Sequence, residues 1–441
     1  MPLCPSAPGD PCYRQTAIAL LAAAAGLLCA PATAAADGYL LGDWGGTRSD
    51  LEERGISFNI GYDSELAHNF SGGHREITRH ADQWTFGTTL DLERLWGWRG
   101  ARFRAVMTHR SGDDLGTDAG IGNNQLLQEV YGRGQTWHLT AFALDQEFLD
   151  GRLEGRIGRL TVGEDFASFA CDFQNLTFCG SQPGNIVGDY WVNWPTSQWA
   201  IRLKLHASEQ VYVQIGAYQV NPRYIDDDYA RRSGWKLDFP AGTTGALIPV
   251  ELGWTPERKG LPGSYKFGAW YDTSGGDDLR LDRDRRPLAL TGGAPLQRDV
   301  RYGAYINFEQ QVGGQADDAG SRVFLNISQA DRATAATDRQ ISLGVRHHGP
   351  FGREADMLGF AIGATHANPR AAAHQRLHNR LHPGDTAPVL HGNEYVAELV
   401  YAWNPLPALT IRPNLQYVVR PGAASDRSDA FVVGLKSSIA F

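Results

Sequence analysis

The chain has 441 residues and a formal net charge of −8 at pH 7, with no basic stripe of the kind nucleic acid needs. Its mean hydropathy of −0.34 argues against a bundle of membrane helices. The length admits two or three soluble domains or one large barrel.

Residues 1–36 read as an export leader. Arg14 supplies the positive start, Ala17 to Ala30 is an unbroken small or apolar run, and Ala34-Ala35-Ala36 offers the small residues a signal peptidase reads. Cleavage is expected after Ala36. The run is short of the roughly 20 apolar residues a spanning helix needs, and bulky Leu28 before Cys29 speaks against lipoprotein processing. The leader takes Cys4, Cys12 and Cys29 with it. Cys171 and Cys179 remain, and such a pair in an exported chain reads as a disulfide.

Residues 37–55 form an expected periplasmic segment. In it Ser49 is a candidate N-cap with Glu52 three residues on, and Gly55 a candidate helix stop.

From residue 56 to the end at Phe441 the dominant signal is alternation. Ile56, Phe58, Ile60 and Tyr62 alternate with small or polar residues. So do Val323, Leu325 and Ile327. Period two is the strand signature, because successive side chains point to opposite faces. About sixteen such segments begin near residues 56, 83, 101, 137, 152, 200, 210, 246, 264, 300, 321, 339, 357, 393, 408 and 429, and an even number suits a bacterial barrel. Long connections are expected at 64–82, 111–136, 161–199, 221–245, 273–299 and 367–392, with short turns such as Asp150-Gly151 between them. No run after Ala36 is apolar enough for a helical span. The fold class expected is therefore all-β: a transmembrane antiparallel β-barrel over 56–441, closed because hydrocarbon leaves no backbone group unpaired. Trp84, Trp254, Tyr271, Tyr395 and Trp403 are candidates for the interfacial girdles. Phe431, Val433, Leu435, Ile439 and Phe441 share a face of the last strand. A terminal aromatic there resembles the signal read by barrel-insertion machinery.

Alternation also assigns the interior. Arg102, Arg104 and Arg110 share one face of a strand, and an arginine facing lipid costs about 2–4 kcal/mol at mid-depth. The face must be the lumen. The same argument places Arg156, Arg202, Lys204, Lys266, Arg301, Arg322, Arg346, Arg412 and Lys436 inside, with Asp63, Asp91, Glu154, Glu251, Glu309, Glu394 and Glu398. Three readings of the basic residues stay open: sugar contact, an anion-selective ring, and structural cross-lumen ion pairs. The loop from Thr161 to Trp199 carries Glu164, Asp165, Phe166, Asp172, Trp191 and Trp194 beside the cysteine pair. So many aromatics on an external loop predict that it folds inward and narrows the barrel.

Leu41-Gly42-Asp43-Trp44-Gly45-Gly46-Thr47-Arg48 resembles the N-terminal motif of OprB-type carbohydrate-selective porins. Phe166 to Gly180, with both cysteines, resembles that family's cysteine-bearing loop, and Gly158-Arg159-Leu160 and Asn193-Trp194-Pro195 agree. The resemblance implies a sixteen-stranded barrel in the outer membrane of a Gram-negative bacterium, passive sugar-preferring diffusion and no cofactor. It implies small sugars as solutes and outer-membrane lipid and lipopolysaccharide as surroundings. It fixes neither the sugar nor the choice between monomer and homotrimer.

A general or anion-preferring porin is the alternative function. An enzyme on a barrel is disfavoured, since no G-x-S-x-G or convincing Ser/His/Asp set is present. An energised receptor would need a plug domain, for which residues 37–55 are too few. His374, His378 and His382 lie four apart, a spacing that can bind metal. With no acidic partner nearby in sequence, an ordinary polar external loop is the preferred reading of that stretch.

Overall fold

The computed structural model describes residues 38–315 and 320–441. The expected leader and its cleavage site lie outside the described residues. Sixteen strands close into one antiparallel barrel. They are β1 (Ile56–Ser71), β2 (Thr78–Asp91), β3 (Ala101–Gly112), β4 (Trp137–Phe148), β5 (Leu153–Leu160), β6 (Gln198–His206), β7 (Val211–Val220) and β8 (Gly245–Trp254). The second half is β9 (Leu261–Asp272), β10 (Arg301–Gln311), β11 (Gly320–Ala330), β12 (Thr337–His348), β13 (Met357–Ala367), β14 (Asn393–Leu406), β15 (Leu409–Val419) and β16 (Ala430–Ala440). Each pairs with its sequence neighbours, and β1 pairs with β16 to close the ring. A two-residue strand, Glu257–Arg258, only extends the turn before β9.

The burial pattern is the reverse of a soluble protein's. On β6 Ile201, Leu203 and Leu205 are 46%, 43% and 44% exposed, while Arg202 between them is 6% exposed. On β7 Val213 and Ile215 are exposed and Gln214 is buried. An outer wall of Leu, Ile, Val and Phe has no aqueous explanation over sixteen strands and suits a lipid surround. Short turns gather at the end that holds both termini, and long connections gather at the other.

One connection differs from expectation. Residues 64–82 are not a long loop: β1 runs to Ser71 and β2 starts at Thr78. The polar residues there suggested a turn, but they are an alternating wall. Glu65 and Asn69 point inward and are buried, whereas Leu66 and Phe70 are exposed outside.

The N-terminal helix spans Thr47–Glu53 and starts earlier than predicted. Ser49 is not its cap. Its N–H and hydroxyl both donate to Asp43 Oδ1, at 2.8 and 2.9 Å. Gly55 ends the segment at φ +93°, where a Cβ would lie 2.9 Å from Arg94 Cβ. Arg48, buried between the rings of Tyr39 and Trp44, donates to the backbone oxygen of Phe441 at 2.6 Å. The segment thus clamps the C-terminal strand at the barrel's seam.

Candidate functional site

The interior is shaped by the loop from residues 161 to 197, which lies inside the barrel along the wall. Its two ends pack Val162 and Phe166, and Val187, Tyr190 and Trp191, on Tyr218, Leu247, Trp270 and Tyr305 of β7 to β10. Its middle packs Phe173 and Phe178 on Phe324, Met357, Val396 and Val400 of β11, β13 and β14. The wall makes room for it. At Gly363 a Cβ would sit 2.4 Å from Thr177.

Wall carboxylates hold the loop backbone in place. Glu251 Oε2 accepts from the N–H of Ala167 at 2.9 Å, and its two oxygens also accept from Tyr212, Gln214 and Tyr305. Glu398 accepts from the N–H groups of Gln174 and Asn175 at 2.8 and 2.9 Å. Each is fully desolvated or nearly so, and charge-assisted bonds of this kind are roughly twice as strong as neutral ones. Cys171 and Cys179 are joined in a disulfide at the loop tip. Beside it Lys436 of β16 meets Glu65 at 3.2 Å, Glu129 at 2.7 Å and the carbonyl of Phe173 at 3.3 Å.

Glu129 belongs to a second inward loop, residues 113–136. Leu115, Ile121 and Leu127 of that loop enter the same cluster as Phe173, and Gln128 donates to Glu65 O at 2.7 Å. What stays open is a polar passage. On one side a cavity of about 270 Å³ is lined by Ser168 and Phe169 of the loop tip and by Lys266, Asn307 and Glu309 of the wall, with Lys266 Nζ donating to the carbonyl and hydroxyl of Ser168 at 2.6 and 2.9 Å.

The carbohydrate-selective porin model of the OprB family matches residues 75–441. Porin B of Pseudomonas aeruginosa is 41% identical over 419 residues, covering 91% of each chain. A putative porin, QuiX, of Acinetobacter baylyi is 32% identical, covering 91% of this chain and 93% of that one. The structure of Pseudomonas putida OprB at high pH superposes with a TM-score of 0.88 at 38% identity, over 92% of this chain and 99% of that one.

The chain belongs to the OprB family of carbohydrate-selective porins.

As an OprB-family porin it is an outer-membrane channel of a Gram-negative bacterium, and the long-loop end is the external one. The basic residues of this porin are mostly paired. Arg104 reaches Glu164 at 3.3 Å. Arg156 holds Asp145 at 2.5 Å and Asp165 at 2.9 Å, and Arg202 holds Glu154 at 3.0 Å and Asp165 at 3.5 Å. Arg346 bridges Asp172 and Glu309, and Arg301 bridges Asp189 and Asp272. Arg110 is buried, donating to Gln83 and to the carbonyl of Tyr131. Lys204 lies over the Tyr212 ring at 4.4 Å.

Glu164, Asp165, Arg104, Arg156 and Arg202 therefore come together at one side of the passage. Arg102 does not join them: it sits exposed toward the short-turn end, 3.5 Å from Glu147. Trp194 is half-buried and donates to Gln83 at 3.0 Å. Phe166 and Trp191, expected to line the pore, present no face to it. Both are 0% exposed, wedged between loop and wall, because an aromatic-rich loop folds inward by burying its rings. The half-exposed ring at the cavity is Phe169, which packs on Phe324 at 4.8 Å. Its place in the cysteine-bearing segment was the signal that could have singled it out.

Asp172 supports a prediction about pH. Burial works to raise its pKa, but the Arg346 guanidinium beside it more than offsets this and holds it below the ordinary carboxylate range. A depressed carboxylate stabilises the fold above its unfolded pKa of about 3.9 and loses that contribution as pH falls through the folded value. Loop-tip anchoring should stay constant from pH 7 to about 5 and weaken only below about 4. Current noise recorded across that range checks it, with Asp172→Asn expected to be noisy at every pH.

Proposed function

We propose that this porin selects sugars at the cleft between the loop tip and the wall of β9 and β10. The observation that carries the reading is the pairing of charge around the passage. A guanidinium bound to a carboxylate creates little net field, yet both partners keep hydrogen-bonding capacity for hydroxyl groups. Near Phe169 the cleft adds an ammonium donor (Lys266), an acceptor (Glu309) and an amide able to do both (Asn307). A hexose offers the same mixture, hydroxyls around its rim and C–H faces that suit an aromatic ring. Binding must stay weak enough for release, and a wet, half-open cleft supplies weak binding.

The alternative is a general or anion-preferring channel. Lys204, Lys266 and Arg412 have no carboxylate within salt-bridge distance among the described residues, and an anion preference would rest on these three. Reversal potentials in a salt gradient and block of the current by glucose separate the two. We expect near-zero selectivity between small anions and cations, with saturable glucose block. Lys266→Ala should weaken that block about five- to tenfold, in line with losing one hydrogen bond worth about 1 kcal/mol. Arg104→Ala should weaken it less, and Arg102→Ala hardly at all. Equal block in wild type and Lys266→Ala would remove the cleft from consideration.

A further inference from the structure

The external loop between β13 and β14 carries a helix, Pro369–Leu381, fixed at both ends. Asn368 caps its start by accepting from Arg370 N–H at 2.9 Å. Arg370 grips Asp278 at 2.6 Å, seating the helix on the hairpin of Gly276–Asp282 and Pro295–Arg298. Near its end Asn379 exchanges bonds of 2.7 and 3.0 Å with Ala387, and Gln375 accepts from Leu390 at 3.0 Å. The helix is therefore an ordered platform.

His374, His378 and His382 follow one another along it, one turn apart. Their ring centroids are separated by 6.4 and 4.6 Å. Among the described residues no side chain hydrogen-bonds any of the three imidazoles, and His374 Nδ1 is buried without a partner. Arg376 and Arg380 fall on the opposite face, about 200° around the helix from their nearest histidines.

We propose that His378, together with His374 or His382, forms an external site for a divalent transition-metal ion of the zinc class. Metal–nitrogen bonds of about 2.0–2.1 Å put two imidazole centroids sharing a tetrahedral ion about 5 Å apart. The two observed separations bracket that value, so side-chain rotation alone closes either pair. His378 belongs to both pairs and is the central ligand. His382 stands at the helix C-terminus, beyond the last carbonyls, where the helix dipole favours a cation. Water completes the coordination on the side of exposed His382. The ion meets the chain at the external rim, away from the sugar cleft, and the proposal does not depend on the sugar reading.

The test uses untagged porin, purified in detergent, stripped with chelator and titrated with Zn²⁺ and with Co²⁺. One saturable ion per chain is expected, with the visible absorption of Co²⁺ bound to nitrogen. His378→Gln should weaken binding by about tenfold or more, and His374→Gln or His382→Gln by less. Heat-modifiable electrophoretic mobility verifies that each variant is folded. Absence of saturable binding to the wild type, or unchanged binding by folded His378→Gln, would overturn the site.

Discussion

Lys436→Met should destabilise the folded barrel by about 3–5 kcal/mol, the usual result of removing one partner from a buried ion pair. Lys436 is 3% exposed and Glu65 0%. Without the ammonium, Glu65 and Glu129 lose the cation that offsets their burial, so each must stay charged without that partner or take up a proton. The loss reaches beyond the wall. Glu129 belongs to the loop of residues 113–136, and the Phe173 carbonyl to the loop of residues 161–197. Both inward loops meet at this nitrogen, so the variant should also show larger and noisier single-channel currents. Guanidinium unfolding in detergent measures the stability. Adding Glu65→Gln and Glu129→Gln to Lys436→Met should restore much of it, because the uncompensated charges are then gone. A triple variant no more stable than the single one would show that packing, and not charge, is what Lys436 supplies.

The second large effect concerns the channel. Replacing both Glu251 and Glu398 with alanine removes the acceptors of the Ala167, Gln174 and Asn175 amides. Each buried N–H left unpaired costs about 1–3 kcal/mol. Tyr212, Gln214 and Tyr305 of the wall also lose Glu251, but the strands keep their backbone ladders while the loop backbone loses its wall acceptors. The loop should leave the wall while the barrel stays closed. Conductance should rise several-fold and glucose block should disappear, with heat-modifiable mobility retained. Unchanged conductance in this variant would mean that the aromatic contacts of Phe166, Trp191 and Phe173 hold the loop by themselves.

The strands were legible because lipid imposes a simple rule on their outer face. Apolar residues recur every second position where the wall meets hydrocarbon, Leu, Ile and Val on β6 and β7 and Phe, Ala and Met on β3, and β3, β4 and β13 start at the residues expected. The inner face obeys no such rule. Tyr218, Trp270, Tyr305, Phe324 and Val400 point inward although the lumen is wet, because each receives part of the loop. A sequence pattern cannot separate an inward aromatic that docks a loop from one that meets solute. That is why Phe166 and Trp191 were expected in the pore and are buried instead. The second inward loop was missed for a related reason. Its apolar residues, Leu115, Ile121, Leu127 and Val130, are scattered among Gly, Asn and Gln with no period to reveal them. Arg48 illustrates the remaining gap. Its neighbours Asp43 and Trp44 stood out as a motif, but its partner is the last residue of the chain, and no local spacing announces a contact of that range.

Solute uptake by proteoliposomes tests the central claim most directly, that paired charge around a loop-narrowed passage favours sugars over solutes of equal size. Glucose and gluconate are nearly alike in size and differ in charge. Swelling should be faster in glucose, and Lys266→Ala should narrow the difference. Rates that follow molecular size alone, the same for wild type and variant, would contradict the account.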